Sequence, residues 1–440
     1  MYDLFIIGCL IVFVVICVSL LTLQNIHVVI LRNPRFTLDN IDTRLSRILL
    51  NRTLTQIFLN STLCGRIITN PSKVSLTEIN QANLDLFNKY GQIKNKNYFE
   101  ITCQQFIDEN KFYKKSITKM EYNFPLAFSI LIYKDLYQFQ VLLRTVYREH
   151  NYHCIHVDLH APKYLYYYAQ KASKCLKHVY VTPKRIKVAW GTYSTLEAER
   201  ICQVYLLERF KSWKYYMNLA GTELPIHTNY ELVQVLKLLN GRNDVISHPN
   251  SNPQRHRRKR AKIPIPFQMR LWKGEFHVTL SRAFVEYIYQ SPMAMELLFW
   301  LNNTGVPDEY FYNSLNRLSD FPGHSNVGYK IDQFLTRYKV WKYSTKFSCK
   351  SAIYINSICQ LNWKDLQRVT NSKRLFANKF NQNKDFLSID CMEQWLQVKT
   401  DDRMLINPYD YTRYPPVWTG YTELMASERQ RIEEKQAFED

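Results

Sequence analysis

Between residues 125 and 240 the chain alternates apolar runs of strand length with segments of helical period, and few folds accept that alternation. "PLAFSILIY" (125–133) is a continuous apolar run. "DLYQFQVLLRTVYREH" (135–150) follows it, with Phe139, Leu142, Leu143 and Val146 on one helical face behind Asp135 as N-cap. Next come a strand "CIHVD" (154–158), a Tyr-rich helix from Pro162, and strands "HVYVT" (178–182) and "IKVAW" (186–190). A long helix "STLEAERICQVYLLERF" (194–210), a strand "KYYMNLA" (214–220) and a helix "NYELVQVLKLLN" (229–240) complete the series. Strands alternating with helices predict an α/β architecture with parallel strands. Ligands of such sheets bind where loops open at the carboxyl ends of the strands. Asp158 stands at one such end, and "GTELP" (221–225) follows another. A carboxylate there suits either a ligand or a turn. Upstream, "SLTEINQANLDLFNKYG" predicts a helix opened by a Ser75–Glu78 capping box and stopped at Gly91.

Residues 4–23 form a run of 20 without a charge, enough for an α-helix to cross a bilayer. A cleaved signal peptide is the alternative, but the run is long and no small-x-small site follows it. The expected organisation is a short cytoplasmic tail (1–3), a transmembrane signal-anchor (4–23) and a stem (24–60). A lumenal domain (61–396) and a C-terminal extension without assignment (397–440) follow. Arg32 and Arg35 oppose this orientation by the positive-inside rule. Sequons at Asn51, Asn60 and Asn302 favour it. Beyond the run lie eight cysteines, none in a CxxC pair, which points to structural disulfides in an oxidising compartment rather than a zinc ribbon.

The net charge is +20, and the last forty residues hold five basic and nine acidic residues, so the remainder carries +24. With "RHRRKR" at 255–260 this could suggest nucleic acid. A chain anchored in the secretory pathway does not meet nucleic acid, so acidic small molecules such as nucleoside diphosphates are the expected partners. Arg257–Arg260 also fits the dibasic pattern of secretory convertases. Neither a G-x-G-x-x-G, a P-loop nor a G-x-S-x-G elbow occurs, which removes the usual dinucleotide, ATP and α/β-hydrolase readings.

"PLAFSILIYKD", "CIHVD", "WKYYMNLAGTELPI", "VPDEYFYNSL" and "LFANKF" occur in this order. In these strings, from about Cys64 to Cys391, the chain resembles the core 2/I-branching N-acetylglucosaminyltransferases, Golgi type II membrane enzymes with peptide O-xylosyltransferases as distant relatives. The resemblance implies a GT-A type fold with a nucleotide-binding mixed sheet. It also implies inverting transfer of N-acetylglucosamine from UDP-GlcNAc, without a metal cofactor, in β-1,6 linkage to the GalNAc of Gal-β-1,3-GalNAc O-glycans. The absence of any Asp-x-Asp agrees with that, because the usual divalent clamp on a diphosphate is missing. Departing UDP must then be met by cations.

By the same resemblance Glu309 is the general base, Asp158, Lys379 and Glu223 serve the donor, and Trp341 and Tyr343 hold the acceptor. Read without it, Asp308 and Glu309 after Pro307 are an acidic helix start. The family's second cation, an arginine, matches Asn356, which brings no charge; Lys350 or another nearby cation would have to substitute. Two further departures touch the donor side, Ala220 for a cysteine and Glu223 for an aspartate. The implied disulfides are Cys64–Cys391, Cys103–Cys175, Cys154–Cys202 and Cys349–Cys359. The alternatives are the same fold with UDP-glucose or UDP-xylose, and a catalytically weak binding protein of the secretory pathway. The choice between core 2 and I-branching acceptors and the oligomeric state stay open.

Overall fold

The computed structural model describes residues 54–112, 117–249, 264–325, 333–344 and 347–436. The apolar run 4–23, the sequon at Asn51 and "RHRRKR" lie outside them. Among the described residues no helix is long and apolar enough to cross a membrane. Phe58–Asp440 is one unit, separate from Met1–Ile57.

The apolar runs form the strands β1 (Leu126–Ile132), β2 (Tyr152–Val157), β3 (Val179–Val181) and β4 (Tyr215–Ala220). After β5 (Glu223–Pro225) come β6 (Thr279–Ser281), β7 (Arg337–Tyr338) and β8 (Phe376–Asn378). The main sheet runs β3-β2-β1-β4-β6, parallel throughout except for β6. Both faces are covered, as a parallel sheet requires. Leu126, Phe128, Ile130 and Ile132 of β1 enter one core with Ile155, Val157, Met217 and Leu219. Ala127, Cys154 and Tyr216 point the other way into a second core. The first core is roofed by α1 (Leu136–Val146) and α2 (Lys163–Cys175), the second by α3 (Tyr193–Arg209). Chain order then gives α4 (Asn229–Leu238), α5 (Phe386–Asp402) and α6 (Pro415–Gln436). A smaller sheet, β5-β8-β7, lies beyond the end of β4.

Four local expectations differ. Residues 186–190 are no strand: the N–H groups of Ile186 and Val188 donate to His156 Nε2 and Asp158 Oδ2 instead of to a ladder. The helix expected to reach 150 stops at Val146, because Tyr147 turns extended and packs its ring on Phe112 and His153. Asp135 precedes α1 with φ 62° and gives no cap; its Oδ1 accepts from Asn383 Nδ2 at 2.9 Å. Ser75 caps its helix through Thr77 N, while Glu78 pairs with Arg66 rather than closing a box, and Gly91 ends that helix in right-handed geometry.

All four disulfides join the expected partners. Cys154–Cys202 pins α3 to β2, and Cys64–Cys391, 327 residues apart, ties the start of the unit to α5. Residues beyond 396 continue this body. Tyr411, Tyr414 and Val417 are buried in the first core, Arg242 pairs with Glu423 of α6, and Lys399 of α5 meets Glu231 of α4 at 2.7 Å. Burial opposes the Glu231 charge, but Lys399 and His227 outweigh it and hold its carboxyl at about 2.

Removing one partner of such a buried pair leaves a bare charge. Lys399→Met is expected to lower unfolding free energy by about 3–5 kcal/mol, read from urea denaturation at pH 7, with Glu231→Gln/Lys399→Met recovering most of it. Because the folded carboxyl titrates below the ~4.3 of an unfolded glutamate, the pair stabilises above that pH. The wild-type advantage over Lys399→Met must therefore shrink as pH falls from about 4.3 toward 2.

Candidate active site

The ends of β1, β2 and β4 lie side by side: Asp158 N donates to Ile132 O and Gly221 N to Leu131 O, each at 2.9 Å. A side chain at Gly221 would crowd Ile132 Cγ2 at 3.1 Å, so glycine lets the β4 turn approach β1. Asp158 is buried, and its carboxylate organises the crevice edge. Oδ1 accepts from His160 N and Oδ2 from Val188 N, both at 2.7 Å. Arg185 donates to the carbonyls of Val157 and Asp158 from below. Each carboxylate oxygen keeps a second lone pair.

Glu223 is fully buried at the junction of the two sheets. Ala220 N donates to Oε2 at 3.1 Å, Asn378 Nδ2 to Oε1 at 2.8 Å, and Arg337 Nε to Oε2 at 3.2 Å. His277 Nε2 lies against Oε1. Burial opposes ionisation, yet Arg337 and His277 prevail and hold the carboxyl at about 2. Glu223 is thus enclosed by protein groups. On its far side His277 Nδ1 meets Lys339 Nζ at 2.9 Å, and Lys339 also pairs with Glu275.

Lys379 follows β8 and is half-buried. Its stretch of chain is held by α1, since Gln138 Nε2 donates to Phe380 O, and the Gln138 and Gln382 side chains exchange bonds with each other's backbone. Among the described residues no carboxylate is paired with it. Burial lowers the Lys379 ammonium pKa, and the neighbouring charges of Lys339 and Lys134 lower it further, against Glu223.

Glu309 closes a 3₁₀ turn, Pro307–Glu309, entered through Val306 at φ 47°. Val306 N donates to Gly191 O at 2.9 Å and Gly274 N to Glu309 O at 2.8 Å, fixing the turn between two loops. No side chain fits at Gly274: a Cβ would fall 2.0 Å from Ile246 O. The two adjacent acids part company here. Glu309 is partly exposed and meets Lys273 Nζ at 2.5 Å, whereas Asp308 is buried. Burial and then the Glu309 charge push the Asp308 carboxyl up to about 7.

Trp341 is half-buried, bridging to Ile358, and Tyr343 is 81% exposed farther along the same segment. Lys339 Nζ lies 5.9 Å from the Trp341 ring centre. Arg337, Lys339 and Trp341 alternate, so one strand face carries the buried network and the aromatic. Asn356 sits exposed at the tip of a two-residue hairpin closed by Cys349–Cys359. With φ 50° at Asn356 and 64° at Ser357, the turn is of type I′, where Asn is favoured. Lys350, the substitute cation expected from sequence, is exposed near Asp365, to which its N–H donates. Asn60 and Asn302 are both exposed.

Glu223, Lys379 and Trp341 thus gather around Lys339, with Asp158 at the neighbouring strand end and Glu309 on its own turn beside Lys273. Sequence reading missed Lys273, Glu275, His277, Arg337 and Lys339. The available signal was period two: Glu275-x-His277 and Arg337-x-Lys339-x-Trp341 each repeat polar or aromatic groups at alternate positions.

Residues 126–370 match the family model of the Core-2/I-Branching enzyme. The chain is 29% identical over 369 residues to a beta-1,3-galactosyl-O-glycosyl-glycoprotein beta-1,6-N-acetylglucosaminyltransferase of Bos taurus, covering 75% of this chain and 86% of that protein. Against the form numbered 3 of Homo sapiens it is 29% identical over 344 residues, 72% and 78% of the two chains. A protein of the first description from Bovine herpesvirus 4 is 29% identical over 358 residues, 76% and 82%.

Asp308 makes stability depend on pH in a defined direction. Its carboxyl titrates near 7 folded and near 3.9 unfolded, so the native state holds the extra proton between those values. Stability from this group is therefore lost as pH rises from about 4 to 7. Asp308→Asn should gain on wild type by about 4 kcal/mol more at pH 8 than at pH 4, measured by urea denaturation at both. Equal differences at the two pH values would show that Asp308 ionises normally.

Proposed function

The chain belongs to the Core-2/I-Branching enzyme family, is a glycosyltransferase on that ground, and from this premise we propose an inverting transfer of N-acetylglucosamine from UDP-GlcNAc. The acceptor is the GalNAc of Gal-β-1,3-GalNAc on O-glycans, and the linkage is β-1,6. The placement of Glu309 carries this reading: a carboxylate partly open to solvent, on a turn pinned by two loops, beside the charged end of the sheet. In the step, the acceptor 6-hydroxyl oxygen attacks C1 of the donor sugar while Glu309 takes its proton. The bond from C1 to the diphosphate breaks, UDP departs with the electron pair, and Lys379 meets the added charge. Lys273 holds the Glu309 carboxylate in place. Asp308, facing inward, does not share the proton transfer.

Asp158 and its bonded loop form the edge on which uridine rests, and Trp341 and Tyr343 offer ring faces to the acceptor. Glu223 acts on the donor indirectly, by fixing Arg337, His277 and the turn after β4. No metal takes part in this reading, which rests on the lack of Asp-x-Asp and on the cations present. The chain then works in the Golgi lumen as a single-pass type II membrane protein anchored by 4–23, a reading supported by the uncharged run and the sequons. One observation favours a second donor, UDP-glucose or UDP-xylose. The turn that carries Ala220 is bonded to Glu223 in place of the family aspartate, and its neighbours are ionic rather than apolar.

Glu309→Gln should reduce turnover by at least about a hundredfold, with the melting transition unchanged. Turnover above a few per cent of wild type would remove Glu309 as base. Offering UDP-GlcNAc, UDP-glucose and UDP-xylose separately, with EDTA and a Gal-β-1,3-GalNAc acceptor, decides the donor. Activity only after a divalent cation is added would overturn the metal-free step.

A further inference from the structure

A departing diphosphate carries more charge than one lysine balances, and Asn356 brings none. Three cations other than Lys379 invite comparison. Lys134 pairs with Asp135 at 3.4 Å and its side chain is 38% exposed. Lys342 and Lys350 are exposed, where water weakens any charge interaction severalfold. Lys339 differs from all of them: its side chain is only 8% exposed and it is held by two partners.

We propose that Lys339 is the second cation of the donor site and, together with Lys379, holds the diphosphate. The assignment rests on reading the donor as a nucleoside diphosphate sugar. Parallel register pairs Phe376 with Arg337 and Ala377 with Tyr338. Continued by one residue, it sets Lys339 beside Asn378, next to Lys379, on a strand spacing of about 4.8 Å. Lys339 donates to Glu275 and to His277 Nδ1, while His277 Nε2 faces Glu223. Two of its three protons are engaged among the described residues, leaving one for an anion.

The charges of Arg337, Lys339, Glu223 and Glu275 balance, so the cluster stands without a ligand. Lys379 adds a charge that no described carboxylate pairs with directly, Glu223 acting on it only at longer range. The mutual repulsion of Lys379 with Lys339 is what a bound anion relieves. Because Glu275 and His277 hold the ammonium beforehand, little reorganisation accompanies binding.

The test is calorimetric titration of the full-length protein with UDP, UMP and uridine. Lys339→Gln should weaken UDP by about tenfold or more and leave uridine unchanged, and Lys339→Arg should recover most of the loss. Lys339→Gln/Glu275→Gln keeps the buried charges balanced, and its melting curve separates lost binding from lost fold; it too should lose UDP selectively. UDP affinity within about twofold of wild type in both Gln variants overturns the assignment, as does an equal loss of UDP and uridine. If wild type binds none of the three, the nucleotide-sugar reading itself fails, whatever Lys339 does.

Discussion

The Glu223 carboxylate is where the two sheets of this protein meet. It has no exposed surface, and it gathers bonds from β4 through Ala220, from β7 through Arg337, from β8 through Asn378 and from the loop before β6 through His277. A buried charge with fewer partners would cost several kcal/mol; here the bonds outweigh desolvation, as the depressed carboxyl pKa reports. The geometry of the candidate site inherits this arrangement. Lys339 is placed by His277, Lys379 by the strand that carries Asn378, and Trp341 by the strand that carries Arg337.

Around this junction the fold uses two devices. Parallel strands bring their carboxyl ends to one edge, which aligns Asp158, the turn after β4 and the residues after Ile132. Glu309, the proposed base, by contrast belongs to no strand. It sits in a turn that needs a left-handed residue at Val306 and a glycine at position 274, and two loops distant in sequence hold it there. A carboxylate on a turn fixed from both sides keeps one orientation without being buried, so it stays open to solvent.

The C-terminal segment is part of the same body. α6 leans on α4 closely enough that Gly420 has no room for a side chain against Leu239 O, and the Lys399–Glu231 pair joins α5 to α4 beneath it. The acidic excess of the last forty residues therefore belongs to the same unit, while residues 1–400 together carry +24. That positive charge suits an anionic ligand, while Arg337, Lys339 and Lys273 near the candidate site are each paired with a carboxylate.

The local order of the chain was legible without coordinates. Hydrophobic runs and periods located β1 to β4 and the helices between them, because each is a local pattern that burial on both sheet faces imposes. Cysteine pairing followed from ordered strings that resemble a family, and the same strings supplied Glu309 and Lys379 as proposed site residues. What sequence alone could not reach was the partnership of groups remote in the chain. Glu223, His277, Arg337 and Asn378 span 155 residues, and nothing local in any of them announces the others. Asp308 and Glu309 are neighbours with opposite environments, a difference set by what packs above and below one turn. Residues 186–190 read as a strand and became a brace for Asp158 for the same reason. Backbone pattern is decided by near neighbours and can be read from them; charge, burial and hydrogen-bond partnership depend on distances through space that only the folded chain sets.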